Sequence, residues 1–213
     1  MFRFTSALAI ALIPALATTS FAGIIVDNGP ATSMSFRIGG PNSQVEGVFW
    51  SQVGASPVTI SALIGSLNGN SPTVDVYLVQ NDPSNVIATA TVNVGSFAAS
   101  ADFTPVTLFS GLSLAAADYG IFLFNTDTSG DTIVRWAVGG GTTNTPFGTF
   151  QFSAFSNGAD TNVASPNLSN FTISPSPLGF TVSGTVVPEP SSFALALSSM
   201  VLLGVGLRFR RKA

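Results

Sequence analysis

The stretch that decides the fold is TVDVYLVQNDPSNVIATATVNV, Thr73–Val94. Through Thr73–Val79 apolar and polar side chains alternate with a period of two, the signature of a strand with one buried face. Asn81-Asp82-Pro83-Ser84-Asn85 then supplies turn chemistry, and Val86–Val94 runs back. Proline and short hydrogen-bonding side chains favour a chain reversal, so the segment is predicted to be an antiparallel hairpin.

Working outward, the same punctuated alternation recurs. Ser33–Ile38 alternates and breaks at Gly39-Gly40-Pro41-Asn42. Val45–Val53 and Val58–Ile64 follow, separated by Gly54-Ala55-Ser56-Pro57, and Leu67–Pro72 is a further turn. Val106–Phe109, Tyr119–Asn125, Thr132–Val138, Thr149–Phe155 and Phe180–Val186 complete a set of about ten strands. The only internal helical candidate is short, Ser96–Ala101. In Leu112–Leu123, Tyr119 is placed to make a tyrosine corner, its ring inside and its hydroxyl bonded to backbone a few residues upstream. Short strands without long amphipathic helices or a repeat of fixed period predict an all-β body, a single antiparallel β-sandwich of jelly-roll type.

The two ends read differently. In MFRFTSALAIALIPALATTSFAG, Arg3 gives a positive start, Ala7–Ala17 an apolar run, and Ser20-Phe21-Ala22 a small-residue cleavage site ahead of Gly23. This is the pattern of a secretory signal peptide, implying the Sec translocon and a signal peptidase cutting between Ala22 and Gly23. At the other end, Phe193–Leu207 is uncharged and makes a helix of about 22 Å, short of a ~30 Å hydrocarbon core. Arg208, Arg210, Arg211 and Lys212 follow, which leaves the tail cytoplasmic and the body outside. The expected organisation is signal peptide 1–22, sandwich 23–182, spacer with the Pro-Glu-Pro tripeptide 183–192, transmembrane helix 193–207 and basic tail 208–213.

Val187-Pro188-Glu189-Pro190, the apolar segment and Arg208-Phe209-Arg210-Arg211-Lys212 together resemble the PEP-CTERM sorting signal of Gram-negative bacteria. The resemblance covers only about residues 187–213. It implies that an integral-membrane exosortase with a cysteine nucleophile recognises Pro188, Glu189 and Pro190 as substrate and processes the tail. It further implies an inner-membrane precursor, a cell-surface or matrix destination, and a producer of exopolysaccharide. Two prolines would hold the tripeptide extended, where a protease can grip it. The alternative is an ordinary single-span tail anchor.

Composition narrows the chemistry. The chain is 46% hydrophobic and 8% charged, with no cysteine and no histidine. Disulfides, thiolate or imidazole metal sites, and Ser-His-Asp triads are therefore excluded. Between Gly23 and Val187, Arg37 and Arg135 stand against nine acidic side chains, a net charge of −7 that repels phosphate backbones and argues against nucleic acid. A carboxylate pair for glycoside hydrolysis remains open, although the acids sit mostly in turn contexts. Asn125–Asp131 imitates the first half of a calcium loop through Asp127 and Asp131, but Trp136 stands where an EF-hand needs glutamate. A hairpin turn is the simpler reading, with no cofactor expected unless a looser calcium site forms. Trp50, Trp136, Tyr77 and the Phe147–Phe155 stretch are candidates for stacking on exopolysaccharide, set against the simpler expectation that they fill the core. The sequons at Asn167 and Asn170 are incidental in a bacterial protein. The reading is thus a non-enzymatic exported protein sorted by an exosortase; a carbohydrate-binding module is the alternative, and a glycoside hydrolase a remoter one.

Overall fold

A computed structural model describes residues 20–38, 45–66, 72–95, 103–125, 134–156, 171–174 and 176–186. Thirteen strands run through them. In chain order they are β1 (Phe21–Asp27), β2 (Ala31–Ile38), β3 (Val45–Gln52), β4 (Ala55–Ser66), β5 (Thr73–Gln80), β6 (Asp82–Asn93) and β7 (Pro105–Leu114). There follow β8 (Ala117–Asn125), β9 (Val134–Gly139), β10 (Thr143–Asn144), β11 (Gly148–Ser156), β12 (Thr172–Ser174) and β13 (Phe180–Val186).

These form two antiparallel sheets. One has the order β12-β11-β3-β8-β5-β6. The other runs β10-β1-β13-β4-β9-β2, with β7 paired to β4. The deciding hairpin is present, with Asp82–Asn85 in the returning strand rather than the turn: β5 pairs β6 from Thr73↔Asn93 to Gln80↔Asp82. Its alternation sends Val74, Val76 and Leu78 inward, where they are buried.

One apolar core joins the sheets. Val48 and Trp50 of β3, Val74, Val76 and Leu78 of β5, and Ile121 and Leu123 of β8 meet Ile60 and Ile64 of β4 and Phe180 and Val182 of β13. The Trp50 and Phe180 rings lie 5.6 Å apart, one from each sheet. Strands that alternate must bury one face against something, and here each sheet supplies the other's cover.

Several boundaries depart from the sequence reading. Ala55, Ser56 and Pro57, read as a turn, open β4. The two ladders that reach this end of β4 step past Ser56 and Pro57: β13 shifts register between Gly184 and Val186, and β7 between Ala55 and Val58. Proline has no N–H to donate, so a strand paired on both sides carries it where the ladder bulges. Leu112–Leu114, read as a turn into β8, belongs to β7 beyond Gly111, whose φ of 74° coincides with a register shift against β4. Phe180–Val186 is the strand it was read as, so the spacer boundary at 183 falls inside it: Ser183 pairs Ile24 and Thr59. Its serine, glycine and threonine suggest a linker, but their neighbours on both sides are strands. The stretch leading to Pro177 holds β12 on the edge of β11. Strands β1, β10 and β12 were not anticipated at all. The helical candidate at Ser96–Ala101, the signal run before Ser20, and the apolar segment Phe193–Leu207 lie outside the described residues. Among the described residues no helix is long and apolar enough to cross a membrane.

Candidate functional site

The two tryptophans are not a binding platform. Trp50 and Trp136 are both completely buried. Trp50 stands two residues from Val48 on the inward face of β3, and its Nε1 donates to Gln52 Oε1 at 2.8 Å. Trp136 pairs Ile64 across β9 and β4, and its Nε1 donates to the Gly179 carbonyl at 2.8 Å. A ring inside the core with its one polar atom satisfied has no face to offer a sugar. This corrects the assignment of carbohydrate contact to Trp50 and Trp136.

The aromatic surface lies one residue away, on the outer face of the six-stranded sheet. Register pairs Phe49 of β3 with Gly120 of β8, and Gly47 with Phe122. A Cβ on Gly120 would sit 2.7 Å from the Phe49 ring, and one on Gly47 would sit 2.7 Å from the Phe122 ring. Each phenylalanine therefore lies across the glycine opposite, covering backbone that a glycine leaves bare. The two rings meet edge to face at 5.3 Å. Phe152 stacks on Phe49 at 4.6 Å, and Phe171 lies 4.6 Å from Phe122. The Phe-rich stretch is thus divided: Phe150 turns inward, its ring 6.3 Å from Phe180, while Phe152 turns out. The cause is a bulge. Phe150 pairs Trp50 and Phe152 pairs Phe49, so Gln151 is the extra residue and points outward beside Phe152.

A groove of about 330 Å³ opens over this surface, floored by Phe49, Val79, Gly120 and Phe152 and bounded by Phe171 and Ile173. Its polar rim is Asn81, Asp82, Asp118 and Gln151. Gln151 Nε2 donates to Asp118 Oδ1 at 2.9 Å. Asn81 has φ of 60°, a left-handed conformation that asparagine tolerates. It is tied to Asp118 twice: its N–H donates to the Asp118 carbonyl at 2.8 Å, and the Asp118 N–H donates to its Oδ1 at 3.2 Å. Asp82 Oδ1 accepts from the Ser84 hydroxyl and the Ser84 N–H at 2.6 and 2.7 Å. Those bonds hold its carboxyl below the usual carboxylate range. Among the described residues no lysine, arginine or histidine lines the groove.

Tyr119 locks the start of β8 behind it. Its hydroxyl donates to the Ala115 carbonyl at 2.9 Å, four residues upstream, and accepts from Gln80 Nε2 at 3.3 Å. The expected tyrosine corner is present. Asp127 and Asp131 of the proposed calcium loop lie outside the described residues, among which no group of three acidic side chains could hold a metal. The tripeptide Pro188-Glu189-Pro190 and the basic tail residues Arg208, Arg210, Arg211 and Lys212 also lie outside them. Ala22 and Gly23 fall within β1, where Ala22 pairs Thr185. Sequence reasoning missed the groove because its signals, Gly47 and Gly120 within strands, acquire meaning only once the register opposes them to Phe122 and Phe49.

The C-terminal region carries the family signal. Residues 186–212 match the PEP-CTERM protein-sorting motif. That motif marks an exported, membrane-processed protein and implies an exosortase as the processing partner. No curated protein matches the chain. Among solved structures, a family two carbohydrate esterase from Cellvibrio japonicus is similar at 16% identity and a TM-score of 0.28. The match takes in 66% of this chain and 36% of that one, too slight a likeness to carry an argument.

Proposed function

We propose that this is a non-enzymatic exported protein whose two-sheet body is a jelly-roll-type sandwich. Its precursor is held in the inner membrane by the C-terminal segment, cut there by an exosortase, and delivered to the cell surface or extracellular matrix. The match of residues 186–212 to the sorting motif carries this reading. The position of the motif fits it: β13 runs to Val186, and the tripeptide begins two residues later in the sequence, at Pro188. The signal-peptide pattern before Gly23 supplies export.

The non-enzymatic reading rests on the chemistry available. The chain has no histidine or cysteine. Asp82 and Asp118 do share a groove, the arrangement a glycoside hydrolase would need. A general acid, however, works with its pKa raised toward neutrality, and the bonds from Ser84 move Asp82 the opposite way. The test is cellular fractionation of the producing bacterium expressing wild-type protein or Glu189→Ala. Wild type is expected in the surface and matrix fraction, and the variant as a longer precursor in the inner membrane. Equal surface delivery of both would refute sorting through the tripeptide.

A further inference from the structure

We infer that the groove on the six-stranded sheet is a binding site for an uncharged saccharide. The inference deepens the reading of the chain as an exported surface protein and rests on it for access to such a ligand. The juxtaposition of stacked Phe49 and Phe152 with the fixed polar pair Asp118 and Gln151 carries it.

Pyranose rings present two chemistries at once: an apolar C–H face and a girdle of hydroxyls that both donate and accept. The groove offers the complement of each. Phe49 and Phe152 are half-buried, so part of each ring is held in the sheet and part is left facing the groove. Phe49 cannot move down, because Gly120 is already beneath it. Above the rings, Asp118 and Asp82 are carboxylates that accept from sugar hydroxyls, while Gln151 and Asn81 carry amides that donate and accept. Charge-assisted bonds from hydroxyl to carboxylate are the strong kind. These four rim groups are exposed yet held in place by Asn81–Asp118, Asp118–Gln151 and Asp82–Ser84 bonds. Little side-chain freedom is left to lose on binding.

Charge selects within the saccharides. The described lining holds two acidic side chains and no basic one, a balance that repels uronate, sulfate or phosphate polymers at close range. A divalent cation would want more ligands than the pair provides, and no cluster of three acids occurs among the described residues. The volume of about 330 Å³ lies at the small end of the ~300–1,000 Å³ range of ligand pockets, which suits a short stretch of polymer or its end.

The test is affinity electrophoresis of the protein recovered after export of the full-length chain. Gels would contain hydroxyethylcellulose, glucomannan, dextran, the neutral matrix polysaccharide of the producing cells, or alginate. At least one neutral polymer is expected to retard the protein, and alginate is not. Retardation by the matrix polymer alone identifies the cell's own polysaccharide as the source, and retardation by the plant or dextran polymers identifies foreign glycan. Gln151→Ala and Phe152→Ala should each raise the dissociation constant about tenfold, the scale of one lost hydrogen bond or ring contact. Gln151 is exposed, so Gln151→Ala should melt with the wild type, which separates a binding loss from unfolding. Failure of every neutral polymer, retardation that survives both substitutions, equal retardation by alginate, or calcium binding lost in Asp118→Asn would overturn the inference. None of these outcomes depends on how the C-terminal segment is processed, so the sorting proposal stands or falls separately.

Discussion

Tyr119 is 1% exposed, and its hydroxyl closes the corner between β7 and β8 through the Ala115 carbonyl. Tyr119→Phe keeps the ring and removes that bond. It should cost about 1 kcal/mol at neutral pH, measurable by urea denaturation. Burial pushes the Tyr119 phenol above its ordinary value of 10.0, with the Gln80 bond pulling the other way. Above pH ~10 the unfolded phenol ionises first, so the unfolded state holds fewer protons and stability falls as pH rises through the folded value. The same sign applies to Tyr77, raised by burial and by nearby Asp75. Tyr119→Phe should therefore flatten, without abolishing, the alkaline loss of stability in a melting series. Trp136 teaches a related lesson: with its ring buried and its Nε1 on the Gly179 carbonyl, Trp136→Ala should cost ~3–5 kcal/mol and impair folding. Its role as core was legible from the alternation in Thr132–Val138, where it shares a side with Val134.

At the scale of the strand, reciprocal phenylalanine–glycine pairing sets the outer face. Gly47→Ala would drive a methyl to within 2.7 Å of the Phe122 ring. It should cost about 1–3 kcal/mol by overpacking, read as a lower melting temperature. The hairpin β5–β6 was readable because alternation and turn chemistry agree there, although β6 opens at Asp82, four residues ahead of the expected Val86. The groove was not. It needs the register of β3 on β8, the bulge at Gln151, and the Asn81 turn to meet, and each is a pairing between distant segments that no local pattern encodes. Strand β13 was read with its observed bounds, Phe180–Val186, whereas β1 was missed for another reason. The small residues Ala22–Gly23 suit a cleavage site as well as a strand, and they pair with Thr185 and Gly184 of β13. Cleavage before Gly23 would remove the partners of Thr185 and Val186 in β1, so those two amides should exchange faster in the processed protein than in the precursor.

For the whole molecule, two antiparallel sheets close one core in a chain without cysteine, and the sorting motif covers residues 186–212. The all-β class followed from spacing of strands and turns, and export with membrane processing from the ordered tripeptide, apolar segment and basic end. The measurement that bears most directly on the account is the intact mass of the wild-type protein recovered from the cell surface. The account predicts a chain beginning at Gly23 and lacking the apolar segment and basic tail beyond the Pro188-Glu189-Pro190 region. A surface protein whose mass still includes residues through Ala213 would contradict it.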